Sequence, residues 1–159
     1  MQGAVLVKKG PQPVRPLLQQ GDTPPNRDGS FIRVLLVDDN EPFRQFVRTA
    51  LSARPEIEII GEASDGLEAV RKAQELKPGL IVLDIGLPSL NGIEAARRIR
   101  KLSPESIILF LSQESSADIV QEALSLGALG FVIKTCAATD LMAAVDAVLR
   151  NQQFVSSAL

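Results

Sequence analysis

The sequence predicts an α/β fold in which a parallel sheet is covered by helices on both faces. From residue 31 onward, short apolar runs rich in β-branched residues alternate with segments of helical periodicity. The third, fourth and fifth runs are continuously apolar, which is typical of strands buried on both sides. Five strand–helix units in strict alternation imply parallel strands joined by crossover helices.

The predicted strands share one feature at their C-terminal ends. Each apolar run stops at a polar residue, and the first, third, fourth and fifth end at an acid pair, an acid, a hydroxyl and a lysine. Because the carboxyl ends of parallel strands lie along one rim, where open α/β folds bind ligands, we expect a site there. The five runs read IRVLLV, IEIIGEA, LIVL, IILFL and FVI.

The segments between the strands have the apolar spacing of amphipathic helices. Pro42 suits the first turn of the first helix, and Gly127 suits the residue just past the fourth. The positions expected to face the core are Phe43, Phe46, Val47, Ala50 and Leu51 in the first helix, Val70, Ala73 and Leu76 in the second, Ile93, Ala96 and Ile99 in the third, and Leu141, Ala144, Val145, Val148 and Leu149 in the fifth.

Composition restricts the class of protein. The chain has 159 residues, 45% hydrophobic and 23% charged, which suits one globular domain. The net charge of −2 argues against strong attraction to nucleic acid or an anionic membrane. No apolar run approaches the ~20 residues of a membrane helix, and the N-terminus lacks a signal-like block. We therefore predict a cytoplasmic protein.

Histidine is absent, and there is a single cysteine, Cys136. The lack of histidine excludes most metal sites and the usual catalytic triads. The lone cysteine excludes an internal disulfide, and we expect it to be a buried small residue. Chemistry in this chain must therefore use carboxylates, hydroxyls and lysines.

The chain divides into three parts by composition. Residues 1–30 are rich in Pro, Gly and Gln and have no sustained period, so we predict a disordered N-terminal arm. Residues 31–151 carry the strand–helix alternation and form the predicted domain. Residues 152–159 form a C-terminal tail.

Polar residues at the strand ends predict a phosphoryl-transfer site. Three carboxylates in one place would repel one another, and a divalent cation such as Mg²⁺ is their natural compensation. A lysine and a hydroxyl beside them suit a phosphoryl group, and a carboxylate at a strand end can act as its nucleophile. The residues expected to converge are Asp38, Asp39, Asp84, Ser112 and Lys134, with Asp84 forming an aspartyl phosphate.

Each of these residues has an ordinary structural explanation when taken alone. An aspartate after a strand is most often a cap, a serine there is usually a turn residue, and a lysine is usually solvated. The prediction of a phosphoryl-transfer site therefore depends on all of these residues occurring together at the strand ends. A dinucleotide-binding domain is disfavoured because VDDNEPF contains no Gly-rich loop.

The motifs VLLVDDN, LIVLDIGLPSLNG, LFLS and GALGFVIK, within residues 33–150, resemble the receiver domain of bacterial two-component response regulators. The resemblance implies a flavodoxin-like fold with five parallel strands in the order 2-1-3-4-5. It also implies a phosphorylation-controlled signalling switch, which is not an enzyme but assists its own phosphotransfer and dephosphorylation. A Mg²⁺-dependent phosphohydrolase is less favoured, because such enzymes typically carry a second acid where this chain has Gly86.

The resemblance also assigns roles to residues and partners. A sensor histidine kinase or a phosphotransfer protein would donate the phosphoryl group, and the surface of helix 4, strand 5 and helix 5 would change in response. That surface would contact a downstream effector or form a dimer. The implied roles are phosphoacceptor for Asp84, phosphate partner for Lys134, switch pair for Ser112 and Phe131, and Mg²⁺ ligation by Asp39, Asp84 and the Gly86 carbonyl with help from Asp38.

The C-terminal residues and two residues that differ from the family pattern give further expectations. RNQQFVSS resembles the linker to a helix-turn-helix output domain, so we expect a stand-alone receiver or a truncated regulator that does not itself bind nucleic acid or membrane. Thr135 stands where many receivers have a proline in a cis peptide. Gln113 stands where the family usually has a small residue, and it could restrict access to Asp84. A degenerate receiver that works without phosphorylation is the alternative.

Overall fold

The computed structural model describes residues 31–157, so the predicted N-terminal arm and the last two residues lie outside the described part. All five predicted strand–helix units are present. A short 3₁₀ turn, Lys134–Cys136, leads into the last helix. The elements are β1 (Ile32–Val37), α1 (Glu41–Ser52), β2 (Ile57–Ala63), α2 (Gly66–Leu76), β3 (Leu80–Leu83), α3 (Gly92–Leu102), β4 (Ile107–Ser112), α4 (Ala117–Ser125), β5 (Gly130–Ile133), α5 (Ala137–Leu149) and β6 (Phe154–Val155).

The strands form one parallel sheet in the order β2-β1-β3-β4-β5-β6. The predicted fold class and the order of the first five strands are confirmed. The sheet has one more strand than predicted, because the short β6 in the C-terminal tail pairs with the outer edge of β5. The strand order reverses between β1 and β3, and open α/β sheets form their binding crevices at such a reversal.

The sheet separates two hydrophobic cores. Alternate residues of each strand face opposite sides, so that Leu35 belongs to one core and Leu36 to the other. The first core is closed by α2, α3 and α4, and the second by α1 and α5. Both faces are covered, which explains why β3, β4 and β5 read as continuous apolar runs.

Most of the predicted helix faces agree with the observed burial. All three predicted positions of α3 are buried, as are four of the five in α5, where Leu149 is half-buried. In α2, Ala73 is buried, but Val70 and Leu76 are only half-buried and pack at the margin. Ala69, which directly precedes Val70, is fully buried instead.

One core prediction for α1 is wrong. Val47 and Leu51 are fully buried, but Phe46 is 38% exposed. The apolar stripe of α1 is wider than the strip of sheet available to it, and its outer edge therefore faces solvent. There the Phe46 ring packs on Phe43, with 5.3 Å between the ring centroids.

Side-chain caps begin the first four helices. Asn40, Asp65, Asn91 and Ser116 each accept a backbone N–H from the first turn, which satisfies a donor that the helix leaves unpaired. At the other end of α4, Gly127 has φ +98°, as predicted for the residue just past this helix. The caps fix where each helix begins after its strand.

The first residue of α3 must be a glycine. A Cβ added to Gly92 would lie 2.0 Å from the backbone oxygen of Asp84, and the Gly92 N–H donates to the Ile85 carbonyl at 2.7 Å. This close approach locks the start of α3 against the end of β3, which carries the proposed phosphoacceptor.

Three further sequence expectations concern backbone geometry and exposure. Residues 31–157 contain no cis peptide bond, and Thr135 lies within the 3₁₀ turn. Cys136 is half-buried at the start of α5, so the prediction that it is buried is wrong. None of the helices within the described range combines the length and the apolar character that a bilayer-spanning helix needs.

Candidate functional site

An open cleft of about 510 Å³ lies at the C-terminal ends of the central strands. It is at the reversal of strand order between β1 and β3, the position expected from the topology. Four of the five side chains predicted to converge line it directly, and Asp38 contacts the lysine among them. The lining residues are Asp39, Asn40, Phe43, Asp84, Gly86, Ser112, Gln113, Glu114, Lys134 and Thr135.

The Lys134 ammonium bridges two buried carboxylates. Its Nζ lies 2.8 Å from Asp38 Oδ2 and 3.2 Å from Asp84 Oδ2. Asp38 is 2% exposed and Asp84 is 6% exposed. Two carboxylates at the ends of neighbouring strands would repel each other at this depth, and the ammonium offsets that repulsion.

The two aspartates that follow β1 occupy different environments. Asp38 is buried, and its Oδ1 accepts the Asn40 N–H at 2.8 Å, which fixes the carboxylate. Asp39 is exposed and faces the cleft. Oxygen atoms of Asp38, Asp39 and Asp84 all lie within 4.8 Å of one another.

Protonation at this site follows from burial and charge. Burial, followed by the repulsion of Asp38, raises the pKa of Asp84 above its ordinary value, although Lys134 opposes the shift. Burial alone would lower the pKa of Lys134, but the hydrogen bond from its ammonium to Asp38 and the charges of both carboxylates outweigh that effect and raise the pKa. The lysine is therefore held in its charged form.

Three carboxylates against one ammonium leave two negative charges uncompensated, which matches one divalent cation. Mg²⁺ binds oxygen ligands at about 2.1 Å, so ligands on opposite sides of the ion are about 4.2 Å apart. The observed limit of 4.8 Å between the carboxylate oxygens requires only a small adjustment of the side chains. The donor set therefore fits Mg²⁺.

Phe43 belongs to this site, although its sequence spacing indicated only a core position. The centre of its ring lies 4.6 Å from Lys134 Nζ. The ring covers the ammonium on a side that the carboxylates leave open, in a cation–π arrangement. The helical spacing of α1 placed Phe43 on its inner face, but no sequence signal identified the lysine as its neighbour.

Ser112 ends β4 at the cleft and is almost fully buried. Its Oγ accepts the Glu114 N–H at 2.9 Å, which turns the chain sharply after the strand. The exposed residues Gln113 and Glu114 consequently line the mouth of the cleft. Restriction of access to Asp84 by Gln113 remains a prediction.

Phe131, the other predicted switch residue, lies in the core and does not line the cleft. It is fully buried in β5, and its ring centroid is 6.2 Å from that of Phe110 in β4. The two rings are neighbours across paired strands, since Phe110 and Phe131 are in register. Its role as a switch remains a prediction.

The fold and the acidic cleft define an α/β signalling module of the receiver class. The family model for the response regulator receiver domain matches residues 34–146. The chain belongs to the response regulator receiver family. This membership confirms the resemblance found in the sequence and indicates a component of two-component signalling.

Individual relatives agree with this family. LiaR of Bacillus subtilis, a transcriptional regulatory protein, is 41% identical over 127 residues, which cover 80% of this chain and 60% of LiaR. A protein-glutamate methylesterase/protein-glutamine glutaminase of Thermotoga maritima is 46% identical over 104 residues, covering 65% of this chain and 30% of the relative. The chain thus spans 60% and 30% of these two proteins.

Solved structures show the same architecture. A crystal structure of a LuxR-family two-component response regulator from Aurantimonas sp. SI85-9A1 superposes with a TM-score of 0.77. It is 32% identical and covers 81% of this chain, while the match includes 92% of that chain. The similarity therefore extends over nearly the whole described domain.

Proposed function

We propose that this protein is a phosphorylation-controlled switch in the cytoplasm, in which Asp84 accepts a phosphoryl group from a sensor histidine kinase or a phosphotransfer protein. The observation that carries this proposal is the buried Asp38–Lys134–Asp84 cluster at the floor of an open cleft. An ion pair placed only for stability would not need an accessible cavity above it. Family membership supports the same function.

In the proposed reaction an Asp84 carboxylate oxygen attacks phosphorus. A new O–P bond forms as the N–P bond of phosphohistidine breaks, and the imidazole nitrogen keeps the bonding electrons. The charged Lys134 neutralises negative charge on the transferred group, and the Ser112 hydroxyl can donate to one of its oxygens. Because Asp84 has a raised pKa, a cation near it keeps the nucleophile ionised.

Asp38, Asp39 and Asp84 would hold Mg²⁺, with the Gly86 backbone carbonyl as a further oxygen ligand. When bound, the ion supplies charge stabilisation for the phosphoryl oxygens. The ion and Lys134 would then share the two buried carboxylates. Asp39, which is exposed at the rim, can turn toward the ion without any change in the strand.

The switch would use Ser112 and Phe131. A hydrogen bond from Ser112 to the phosphoryl group would draw the end of β4 inward and leave space for the Phe131 ring to rotate. A charged hydrogen bond contributes roughly 1.5–3 kcal/mol, whereas a shift from 1:99 to 99:1 needs ~5.5 kcal/mol. Lys134 and the metal must therefore also favour the active state.

The responding surface would consist of α4, β5 and α5, and its partner would be a downstream effector or a second copy of the chain. The described C-terminal strand β6 lies along the edge of β5 and so belongs to this surface. By similarity to LiaR, a transcriptional regulatory protein, we propose control of transcription for the whole protein. Residues 31–157 would supply the phosphorylation signal and would not contact nucleic acid.

A receiver that acts as an interaction module without phosphorylation is a second candidate, supported by one observation. Gln113 is exposed and lines the cleft, where a large side chain would restrict access to Asp84. If the restriction were complete, the acidic cluster would remain intact but would not be used.

Phosphorylation by acetyl phosphate tests the proposed function directly. With Mg²⁺ and acetyl phosphate, we expect the protein to gain the mass of one phosphoryl group, with the modification stable in acid and labile in base. Asp84→Asn should abolish the gain, and Asp118→Asn, which changes an exposed aspartate in the first turn of α4, should not. A protein that gains no mass under these conditions would support the interaction module instead.

A further inference from the structure

The C-terminal strand β6 extends the sheet at the edge of β5. Gly130 pairs with Phe154 and Phe131 pairs with Val155 in parallel register. The Phe154 N–H donates to the Leu129 carbonyl at 3.0 Å, and the Ser156 N–H donates to the Phe131 carbonyl at 2.9 Å. The strand is therefore bound to the backbone of the proposed switch residue Phe131.

Ser156 connects this strand to two further elements. It is 1% exposed, and its Oγ accepts the Ile133 N–H at 3.0 Å and donates to Asp140 Oδ2 at 2.9 Å. A buried hydroxyl needs such partners, since a buried polar group without them is unfavourable. The hydroxyl joins the end of β5 to the first turn of α5.

Ser156 is connected to the cleft through Ile133. Ile133 pairs with Ser112 in the register of β4 and β5, and it directly precedes Lys134 in the chain. Ser112 and Lys134 both line the cleft, where a phosphoryl group on Asp84 would be within their reach. A shift of the Ser112 or Lys134 backbone toward that group would also displace the backbone of Ile133, whose N–H donates to Ser156 Oγ.

We propose that β6 and Ser156 form a C-terminal latch, residues 154–156, that is docked while Asp84 is unmodified and is weakened when a phosphoryl group occupies the cleft. This inference rests on the proposed function. The docked latch fits the arrangement in which the Ser112 hydroxyl accepts the Glu114 N–H and is turned away from Asp84 as a donor. Phosphorylation thus transmits its signal to the chain that follows β5 and α5.

Thermodynamic linkage makes the coupling reciprocal. If occupation of the cleft weakens the latch by some factor, weakening the latch must strengthen occupation of the cleft by the same factor. Couplings of this kind typically amount to 5–150-fold. A Ser156 that served only the stability of the domain would show no such gain, because its loss would leave the cleft unchanged or less able to bind.

The first experiment needs no variant. Hydrogen exchange of the 159-residue chain is compared with and without beryllofluoride and Mg²⁺, since beryllofluoride imitates the phosphoryl group. We expect the Ser156 amide to exchange at least about 5-fold faster with beryllofluoride bound. The Ile32 amide, which donates to the Glu56 carbonyl at the opposite side of the sheet, should not exchange faster and serves as the internal control.

The second experiment measures the reverse direction. Ser156→Ala should bind beryllofluoride at least about 5-fold more tightly than the parent. Ser103→Ala is the matched control, because Ser103 is also buried and its hydroxyl bonds Ser106 Oγ at 2.7 Å, far from β6. The control should lose stability without any gain in beryllofluoride affinity.

The two experiments separate the latch from the proposed function. If the parent does not bind beryllofluoride, the proposed function fails and the latch fails with it. If the parent binds it, but the Ser156 amide exchanges unchanged or more slowly, only the latch is overturned. Beryllofluoride affinity that is unchanged or weaker in Ser156→Ala would likewise assign Ser156 a purely structural role.

Discussion

The ammonium nitrogen of Lys134 lies 4.6 Å from the centre of the Phe43 ring. The ring limits where the ammonium can move, and it excludes water from one side of the Asp38–Lys134–Asp84 cluster. A cation–π contact in a partly desolvated site contributes roughly 1–2 kcal/mol. Phe43 therefore holds the lysine in position for the transferring group.

Phe43→Ala is expected to slow phosphorylation by acetyl phosphate about 10-fold, because 1.4 kcal/mol corresponds to a factor of ten in rate. Phe43→Tyr should retain most of the rate, since the aromatic face remains. The initial rate of phosphoprotein formation at saturating Mg²⁺ is the measurement.

Phe46→Ala provides the matched control for Phe43. Phe46 lies on the same helix, packs on Phe43 and is 38% exposed, and it does not line the cleft. Its removal should change the rate less than about 2-fold, a difference below roughly 0.5 kcal/mol. If Phe43→Ala and Phe46→Ala reduced the phosphorylation rate equally, the packing of α1, and not the contact of Phe43 with Lys134, would set that rate.

Asp84→Asn should stabilise the protein at neutral pH in the absence of divalent cations. The pKa of Asp84 is raised in the folded state by burial and by Asp38. Between the ordinary and the raised pKa the folded state binds more protons than the unfolded state, so stability falls as the pH rises through that window. Asparagine has no charge to bury and avoids this loss.

Urea unfolding with EDTA at pH 7 and at pH 3 checks this pH dependence. At pH 7 Asp84→Asn should unfold at a higher urea midpoint than the parent protein. At pH 3 the difference between the two midpoints should be smaller. Adding Mg²⁺ should stabilise the parent more than the variant, because the variant lacks one of the carboxylates. A midpoint at pH 7 equal to or below that of the parent would contradict the prediction.

Gln113→Ala should speed both phosphorylation by acetyl phosphate and loss of the phosphoryl group. Gln113 lines the mouth of the cleft beside Ser112, so its truncation opens the path to Asp84 for phosphodonor and water. We expect a change of about 3- to 10-fold, equivalent to roughly 0.7–1.4 kcal/mol. Decay of the purified phosphoprotein measures it, and faster decay in the parent than in the variant would refute the restriction.

Gly92→Ala should destabilise the domain by about 1–3 kcal/mol, the usual penalty for forcing atoms into a packed site. The added Cβ would lie 2.0 Å from the Asp84 backbone oxygen, so α3 or the end of β3 must shift. Gly86→Ala is the control, because a Cβ there meets no atom within 4 Å and should cost less than about 0.5 kcal/mol. Urea unfolding without Mg²⁺ distinguishes the two variants.

Strand–helix alternation was sufficient to predict the fold up to α5. The runs LIVL of β3, IILFL of β4 and FVI of β5 are apolar throughout because both faces are covered, and such runs are visible in the sequence. The two-residue strand β6 was missed, because Phe154 and Val155 are too few to show a period and their hydrogen bonds depend on β5. Phe46 was misplaced because periodicity gives the direction of a helix face but not its width.

Convergence of the polar residues followed from parallel strands, whose C-terminal ends must share one rim. The sequence did not predict that Asp38 is buried and Asp39 exposed. The path of the chain between β1 and α1 decides which of the two consecutive side chains turns inward. The contact of Phe43 with Lys134 was equally hidden, since it joins residues 91 positions apart through the packing of α1 on the sheet.

The unequal burial of neighbouring helices has a consequence for where the domain can change shape. In α3 five residues are fully buried, and its first residue touches the Asp84 backbone, whereas α4 fully buries only Ala123. Local opening requires less free energy where fewer apolar side chains leave the core. Thermal fluctuations of the domain should therefore be largest around α4, while the scaffold that carries the acceptor stays in place.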